Sequence, residues 1–474
     1  MVFIPHPRGA DPTFVKRATP VRECVEFPRT VPSPLQPPAH ASVPRRVWRG
    51  TSFLVLGRVY GSACTFAQLW LLAHHLAPGA FGRYTFYLAI FVFLDALVDF
   101  GTGHVAVQRT AADESRMPEV LAGARRVRLA TGILGVVLVG GGALWMEEPA
   151  AGWILLASLY PVTHVAELST VVLRNRIAWG IPVALRAIAA TTSLTFVLLL
   201  RATGDREPAH YLCAVAAGSA IANGLLYVAC RRHLPARKAT EVPWASVLAA
   251  AAPLGFASLC QQAYFYADNL FVRAMRGEAE LGAYNVGVRI LSMTIMVALY
   301  ASQAALPWLA REHAAGRLGE SVARLGQPLF AAAGLVTGLV APFSAWILGL
   351  FGEHATIAAP SLRWLFGAVA VIHAGAVLTT ALVAAGRGGS MLGIAATGLA
   401  LNLAANSILI PRFGIEGAAI ATLATEIVVA VGAAWVLSRT GVRATWRAWG
   451  WLGGPIGFAL GFAVAAAIHG RLAA

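Results

Sequence analysis

Long apolar runs constrain this sequence more than any other feature. About thirteen stretches reach roughly 18 residues or more, enough to cross about 30 Å of hydrocarbon, and short connections separate them. In lipid only helices and closed barrels satisfy all their backbone hydrogen bonds, and the ten-residue alternation typical of barrel strands is not visible. The sequence therefore predicts an all-α, polytopic membrane protein.

Composition agrees with this fold class. The chain is 58% hydrophobic and only 12% charged, whereas soluble domains carry about 25% charged residues. The predicted spans fall near residues 47–72, 82–105, 127–146, 151–173, 180–200, 210–230, 245–271, 283–308, 328–350, 361–384, 389–410, 415–437 and 449–469.

Positive charge predicts the orientation. With a cytoplasmic N-terminus, the inside loops hold eighteen Lys and Arg residues and the outside loops six. Because cytoplasmic loops carry the excess of basic residues, we expect an inside N-terminus and an outside C-terminus. The basic residues are scattered between apolar segments, which favours contact with anionic lipid headgroups and excludes nucleic acid.

No cofactor or metal is indicated. The five cysteines form no CxxC pair, which leaves neither a zinc site nor a disulfide framework. A nucleotide-binding loop of the GxxxxGK[ST] type does not occur either, so we do not expect the chain to hydrolyse ATP. Nor does the sequence contain a Ser/His/Asp arrangement, and an enzyme is not predicted.

An internal repeat divides the spans into two groups. The motifs Gly82-x-Tyr84 and Gly282-x-Tyr284 stand two hundred residues apart, each after an odd-numbered span. Two six-helix units in series have the same orientation, which predicts two bundles related by an axis along the membrane normal, with a site in a central cavity between them. The predicted organisation is a disordered cytoplasmic tail at 1–46, lobes at 47–235 and 240–440, and an additional helix at 449–469.

A few charges lie inside the predicted spans. At 1.5 Å per residue, Arg58 lies about 16 Å and Arg186 about 10 Å from the inner face, while Asp95 and Asp99 lie within about 4–11 Å of it. With Glu167, they predict a cluster of two arginines and three carboxylates. The acids and arginines could be structural partners that neutralise one another. They could instead line a watery cavity, where they titrate or meet a charged substrate.

The second lobe has its own pair of charges. Asp268 and Arg289 fall near the outer face on adjacent spans, and we expect them to form an ion pair or an ion-coupling site. Histidines such as His164 occur singly in the spans and are predicted to be hydrogen-bonded packing residues, with a proton relay as the alternative.

Three stretches resemble bacterial polysaccharide (O-antigen type) flippases of the multidrug/oligosaccharidyl-lipid/polysaccharide exporter superfamily. They are LGRVYGSACTFAQLWLLAHHLAPGAFGRYTF with LVDFG, AYFYADNLFVRAMRGEAELGAYNVGVRI, and NLAANSILIPRFGIEGAAIATLATE. The resemblance covers roughly residues 47–440. It implies two six-helix bundles around a central, often cationic cavity.

The implied activity is the flipping of an undecaprenyl-pyrophosphate-linked glycan across the bacterial inner (cytoplasmic) membrane by alternating access. The glycan would serve cell-surface polysaccharide such as O-antigen lipopolysaccharide. Implied partners are that glycan, membrane lipids and glycan polymerase or assembly proteins. Arg58 matches a cavity-lining arginine of the similar lipid II flippases, which implies substrate binding by Arg58, and Arg186 is the second candidate. The equivalent position in the second lobe, 200 residues after Arg58, is Ser258. The sequence therefore departs from a cavity with a matching arginine on each side. A cation-coupled multidrug-type exporter, a lipid II flippase and a non-transporting scaffold are the alternatives.

Overall fold

Helices form nearly all of the described structure. The computed structural model describes residues 43–110, 114–175, 180–234, 243–440 and 448–473, and within these ranges it contains helices and turns but no strand. The all-α prediction is confirmed. The predicted tail at 1–46 lies almost entirely outside the described residues.

Thirteen long segments, named α1 to α13, follow one another along the described chain. Several are interrupted by breaks or tighter turns. Their bounds are α1 Val43–His75; α2 Pro78–Asp99 and Thr102–Thr110; α3 Met117–Val136, Val137–Gly141 and Gly142–Trp145; α4 Ala151–Ala157, Tyr160–Thr163, His164–Thr170 and Val171–Asn175; α5 Gly180–Ala202; α6 Pro208–Arg231; α7 Trp244–Arg276; α8 Glu278–Ala314; α9 Leu318–Val340 and Ser344–Gly349; α10 Glu353–Ala358 and Ala359–Ala384; α11 Gly389–Phe413; α12 Ile415–Arg439; and α13 Ala448–Ala473.

The predicted spans coincide with these segments. Among the described residues, α2 to α12 supply eleven helices long and apolar enough to cross a membrane. The first and last predicted spans coincide with α1 and α13, each of which has side chains outside the described part at one or both ends. The chain is thus a multi-pass membrane protein.

The third span begins earlier than predicted. We expected it to start near residue 127, with the preceding arginines in a loop, but α3 starts at Met117. Pro118 in the first turn and Glu119 close behind it are both favourable at a helix N-terminus. Arg125 and Arg128 therefore lie on the helix itself, within the apolar bundle, because their turn is already helical.

A break in α2 sets the position of its acidic residues. Phe100 and Gly101 have positive φ angles of 38° and 73°, a left-handed conformation that ends the first part of the helix. A Cβ on Gly101 would also lie 3.0 Å from the Ala251 carbonyl oxygen of α7. Asp99 is consequently the last residue of the first part, and its carbonyl accepts a hydrogen bond from the Thr102 hydroxyl at 2.6 Å.

Consecutive helices run in opposite directions, so the bundle has two ends. We call the end with the α1–α2, α3–α4, α5–α6, α7–α8, α9–α10 and α11–α12 turns the upper end, and the opposite one the lower end. Helix α13 packs along α9 with backbones in contact: a Cβ on Gly334 would lie 2.0 Å from the Gly454 carbonyl oxygen, and one on Gly338 would lie 2.0 Å from that of Phe458. Small residues allow this close packing in membranes.

Candidate functional site

One buried arginine, Arg128, organises the charges of the first six helices. Only 4% of its side chain is exposed, and its Nη2 donates to Asp99. Its Nε donates to the Thr102 hydroxyl at 2.9 Å and its Nη1 to the His164 carbonyl oxygen at 2.8 Å. Glu167 Oε2 lies 3.7 Å from Nη1. The carboxylates and oxygens around Arg128 offset the cost of burying its charge. Because these partners lie on α2 and α4, Arg128 connects both helices to α3.

Asp95 lies one turn above Asp99 and has different partners. The Tyr160 hydroxyl lies 2.7 Å from Oδ1 and 2.9 Å from Oδ2, and donates to this carboxylate. His164 Nδ1 lies 3.5 Å from Oδ1, which makes an ion pair when the imidazole is protonated. About 39% of the Asp95 side chain stays exposed. The short 3₁₀ turn of α4 thus places the His164 ring beside this acid, and its predicted role, as a hydrogen-bonded packing residue or a proton relay, stays a prediction.

Arg186 completes the cluster from α5. Its Nη2 donates to Glu167, yet 59% of the side chain is exposed. The cluster thus has three carboxylates, of Asp95, Asp99 and Glu167, and two guanidinium groups, of Arg128 and Arg186.

The structure brings together four of the residues predicted for this cluster, whereas the fifth, Arg58, cannot be compared. Asp95, Asp99, Glu167 and Arg186 do lie together, with Arg128 as the arginine that pairs with Asp99. Arg58 lies on α1, but its side chain is outside the described part of the chain, so its predicted contact with the carboxylates remains a prediction.

Asp268 and Arg289 do not form the expected pair among the described contacts. Asp268 is 1% exposed, and its carboxylate accepts hydrogen bonds from the Tyr284 hydroxyl and from Asn269 Nδ2, the latter at 3.0 Å. Arg289 lies five residues beyond Tyr284, about 140° around α8 and about 7.5 Å along it. The pairing is corrected for this reason: Tyr284, and not Arg289, faces Asp268.

Arg289 instead lines a small cavity of about 30 Å³ between the first and second groups of six helices. Tyr266 of α7 and Ser292 of α8 lie beside it, and α1 and α2 supply the opposite wall. No carboxylate is paired with Arg289 in the described contacts, so its charge remains available within the cavity.

Above this cavity the two groups of helices are tightly joined. The Arg83 guanidinium bonds both oxygens of Glu278, at 3.2 and 3.1 Å. Arg273 donates to Glu278 at 2.9 Å and to Glu148. We call these four residues the upper ion cluster; it links α2 and the end of α3 with α7 and α8.

Neutral contacts extend the same junction. Asn285 Nδ2 donates to the Thr85 hydroxyl at 3.1 Å and to Asn269 Oδ1 at 2.7 Å. Hydrogen bonds thus run from Asp268 through Asn269 and Asn285 to Thr85 on the other side of the junction. No motif predicted this series of hydrogen bonds, although Thr85 and Asn285 are again two hundred residues apart.

Comparison with known proteins adds independent evidence. Residues 47–313 match a family described as "Polysaccharide biosynthesis protein", and residues 253–408 match the MatE family. No curated protein matches the sequence.

Solved structures share the fold. A lipid II flippase, MurJ, in an inward closed conformation is 13% identical with a TM-score of 0.66, covering 89% of this chain and 98% of that one. An inward-facing multidrug resistance MATE family transporter of the MOP superfamily is 14% identical (TM-score 0.65; 82% and 96% covered). The Vibrio cholerae MATE transporter VcmN in its bent form is 14% identical (TM-score 0.58; 84% and 97% covered). The two-bundle architecture predicted from the repeat is that of these folds, whereas the exact lobe limits, 47–235 and 240–440, remain predictions.

Proposed function

Because the chain belongs to the polysaccharide biosynthesis protein family, we propose that it moves an undecaprenyl-pyrophosphate-linked glycan across the bacterial cytoplasmic membrane. Transport by a membrane protein, rather than catalysis, is the activity named for the flippase and transporters of the same fold. The glycan would serve cell-surface polysaccharide synthesis, where a glycan polymerase is the expected downstream partner.

The accessibility of the charges supports transport by alternating access. The upper ion cluster and the Thr85–Asn285 hydrogen bond close the junction at the upper end. Below it, about 40% of the Asp99 side chain and 59% of that of Arg186 remain exposed. This asymmetry fits a cavity that receives its substrate from the lower side, which would be the cytoplasmic side if the N-terminus is inside.

Two arginines are the best candidates to meet the pyrophosphate. Arg186 is exposed although it pairs with Glu167, and Arg289 has no acid partner among the described contacts. A guanidinium group binds phosphate oxygens in a bidentate manner. Arg58 joins them on the strength of the family resemblance. Arg128 is excluded as a substrate ligand because its donors are already occupied.

A proton could couple to transport at Asp95 and His164. Acid and histidine side chains inside a membrane protein are typical of proton relays, and here His164 Nδ1 lies 3.5 Å from Asp95 Oδ1 with both side chains partly exposed. Asp268 is the corresponding candidate in the second lobe, as a buried carboxylate with neutral partners.

The test is transport in vesicles that contain the purified full chain. We expect a fluorescent undecaprenyl-pyrophosphate glycan to change leaflet in these vesicles, and Arg186→Gln or Arg289→Gln to abolish the change while the protein stays folded. Arg201→Gln, at an exposed site at the upper end, is the matched control and should transport normally. Equal transport by all four proteins would contradict the assigned roles, and no transport by the unaltered chain would contradict the function.

The MatE match favours one alternative, a cation-coupled exporter of small molecules. Such an exporter would confer drug resistance and would leave the lipid-linked glycan in place. Lipid II is the alternative glycan lipid, and adding it to the same vesicles distinguishes the two substrates.

A further inference from the structure

A second cavity lies on the outside of the first group of helices, on the other side of α4 from the charge cluster. It has a volume of about 470 Å³ and lies between α3, α4 and α6. We call it the α3–α6 groove. Its lining residues are Arg125, Val162, Thr163, Val165, Ala166, Ala220, Gly224 and Tyr227.

The groove opens toward lipid. Exposed apolar side chains flank it on both walls, with Leu129 and Ile133 on α3 and Leu225 and Val228 on α6. In a multi-pass membrane protein such side chains contact acyl chains. Small residues on α6 create the space: a Cβ added to Gly224 would meet nothing within 4 Å. An acyl chain can therefore lie in the groove without displacing protein atoms.

One charge in the groove lacks an acidic partner. The Arg125 guanidinium lies 5.9 Å from the centre of the Tyr227 ring, and in the described contacts no carboxylate pairs with it. The lining contains no acid either. An arginine among apolar residues is unfavourable without a counter-charge, so a bound anion would stabilise Arg125 at this position.

A second positive charge lies at the lower mouth of the groove. Arg231 is exposed and follows Tyr227 by four residues on α6, which places both on one face of the helix. Arg125 is about 12 Å from the start of α3, and Tyr227 about 6 Å from the end of α6. The two arginines thus lie in the lower leaflet, at the depth of its phosphates and of the acyl-chain carbons next to them.

We propose that the α3–α6 groove binds an anionic phospholipid of that leaflet, with its phosphate between Arg125 and Arg231 and one acyl chain along α4. The occupant is a diacyl lipid of the bilayer and is distinct from the transported glycan lipid. This site does not depend on the identity of the transported substrate.

The groove also lies directly behind the charge cluster. Its floor contains Thr163 and Ala166, the neighbours in sequence of His164 and Glu167, which point to the cluster on the other side. This part of α4 consists of a four-residue helical turn and a 3₁₀ segment. A bound lipid would support it from outside, because short helical pieces hold their shape mainly by packing.

Photolabelling tests the proposal. The full chain in phosphatidylcholine nanodiscs is exposed to photoactivatable phosphatidylglycerol or to phosphatidylcholine with the same acyl chains, and labelled peptides are identified by mass spectrometry. In the unaltered chain, phosphatidylglycerol should label the peptides of α3, α4 and α6 about tenfold more than phosphatidylcholine, a preference of about 1.4 kcal/mol. Arg125→Gln should remove most of the preference, Arg125→Lys should keep much of it, and Gly224→Phe should abolish labelling by both lipids.

Several results would overturn the site. Equal labelling by the two lipids in the unaltered chain would mean that no headgroup is recognised and that Arg125 only reaches interfacial water. An unchanged preference in Arg125→Gln, or labelling that persists in Gly224→Phe, would place the lipid elsewhere. Competition by a polyprenyl phosphate but not by phosphatidylglycerol would assign the groove to the carrier lipid. Arg201→Gln at the upper end is the matched control, and thermal unfolding of each variant verifies that it is folded.

Discussion

Gly82 and Gly282, two hundred residues apart in the chain, lie backbone to backbone at the upper end: a Cβ on Gly282 would be 3.0 Å from the Gly82 Cα. A Cβ on Gly82 would be only 1.7 Å from the Glu278 carbonyl oxygen. The two copies of the repeat therefore meet each other where the two groups of helices close. Small residues are required here because the backbones of α2 and α8 leave no room for a side chain.

The substitution Gly82→Ala tests whether the close contact of α2 and α8 closes the upper end. Gly82→Ala should destabilise the described conformation by about 1–3 kcal/mol, as overpacking does, and should raise the accessibility of a cysteine placed at Thr85 from the upper side. Gly79→Ala is the control, because its Cβ would be 3.9 Å from the nearest atom, an ordinary contact. If the cysteine at Thr85 is equally accessible in both variants, the contact at Gly82 does not close the upper end.

Arg128 should matter more for stability than Arg186. Arg128→Met leaves Asp99 and Glu167 without their buried partner, and we expect a loss of about 3–5 kcal/mol in the free energy of unfolding. Arg186→Gln removes an exposed pairing and should cost less than about 1 kcal/mol. Thermal unfolding of purified variants measures both. Addition of Asp99→Asn to Arg128→Met should restore part of the loss, and a further drop instead would show that the pairing is not the cause.

The partners of Asp268 can be separated by double-mutant cycles. Asp268→Asn with Tyr284→Phe should show a coupling energy of about 0.5–3 kcal/mol, because the two side chains are in contact. Asp268→Asn with Arg289→Gln should be additive within about 0.5 kcal/mol. A large coupling with Arg289 would restore the ion pair expected from the sequence.

Acid should weaken one loop contact at the upper end. Partial burial alone would raise the pKa of Asp205, but the Glu207 backbone N–H and the His210 ring outweigh it and hold this pKa below its usual value. A carboxylate with a lowered pKa stabilises the fold above its unfolded pKa of about 3.9 and loses that effect as the pH falls through the folded value.

Asp205→Asn should therefore lower stability at neutral pH by about 1 kcal/mol, a value reduced for partial exposure, and the difference from the unaltered chain should shrink below about pH 4. Glu353→Gln, at an exposed site at the same end, should show no such pH dependence. If the difference in stability between Asp205→Asn and the unaltered chain stays constant from pH 7 to pH 3, the effect comes from altered packing and not from the lost charge.

The sequence predicted the helices well and the partners of their charges poorly. Hydropathy averages over many residues, so a helix is located even where single residues are ambiguous. Helices α5, α11 and α12 begin at or next to the expected positions. Pairing depends on rotation, and at about 100° per residue a small error moves a side chain to another face. Asp268 was assigned to Arg289 instead of Tyr284 for this reason. Arg128 was missed because an arginine-rich segment suggested a loop, although Pro118 and Glu119 indicated the start of a helix.

The repeat carried more information than its two motifs suggested. Thr85 and Asn285 occupy equivalent positions and bond to each other, and the glycines three residues before them touch. Equivalent positions meet near the axis that relates two repeats, so the motif marked the axis itself. The break at Phe100–Gly101 and the short pieces of α4 had no such signal, because tertiary packing decides where a helix in lipid may bend.

The contact between α9 and α13 has a consequence for the assembly of the helices. Until α13 packs against α9, Gly334 and Gly338 leave the backbone of α9 bare along a shallow furrow. The arrival of α13 closes that furrow by direct backbone contact. A substitution that keeps α13 away from α9 therefore leaves this backbone in contact with lipid, where no side chain of α9 covers it.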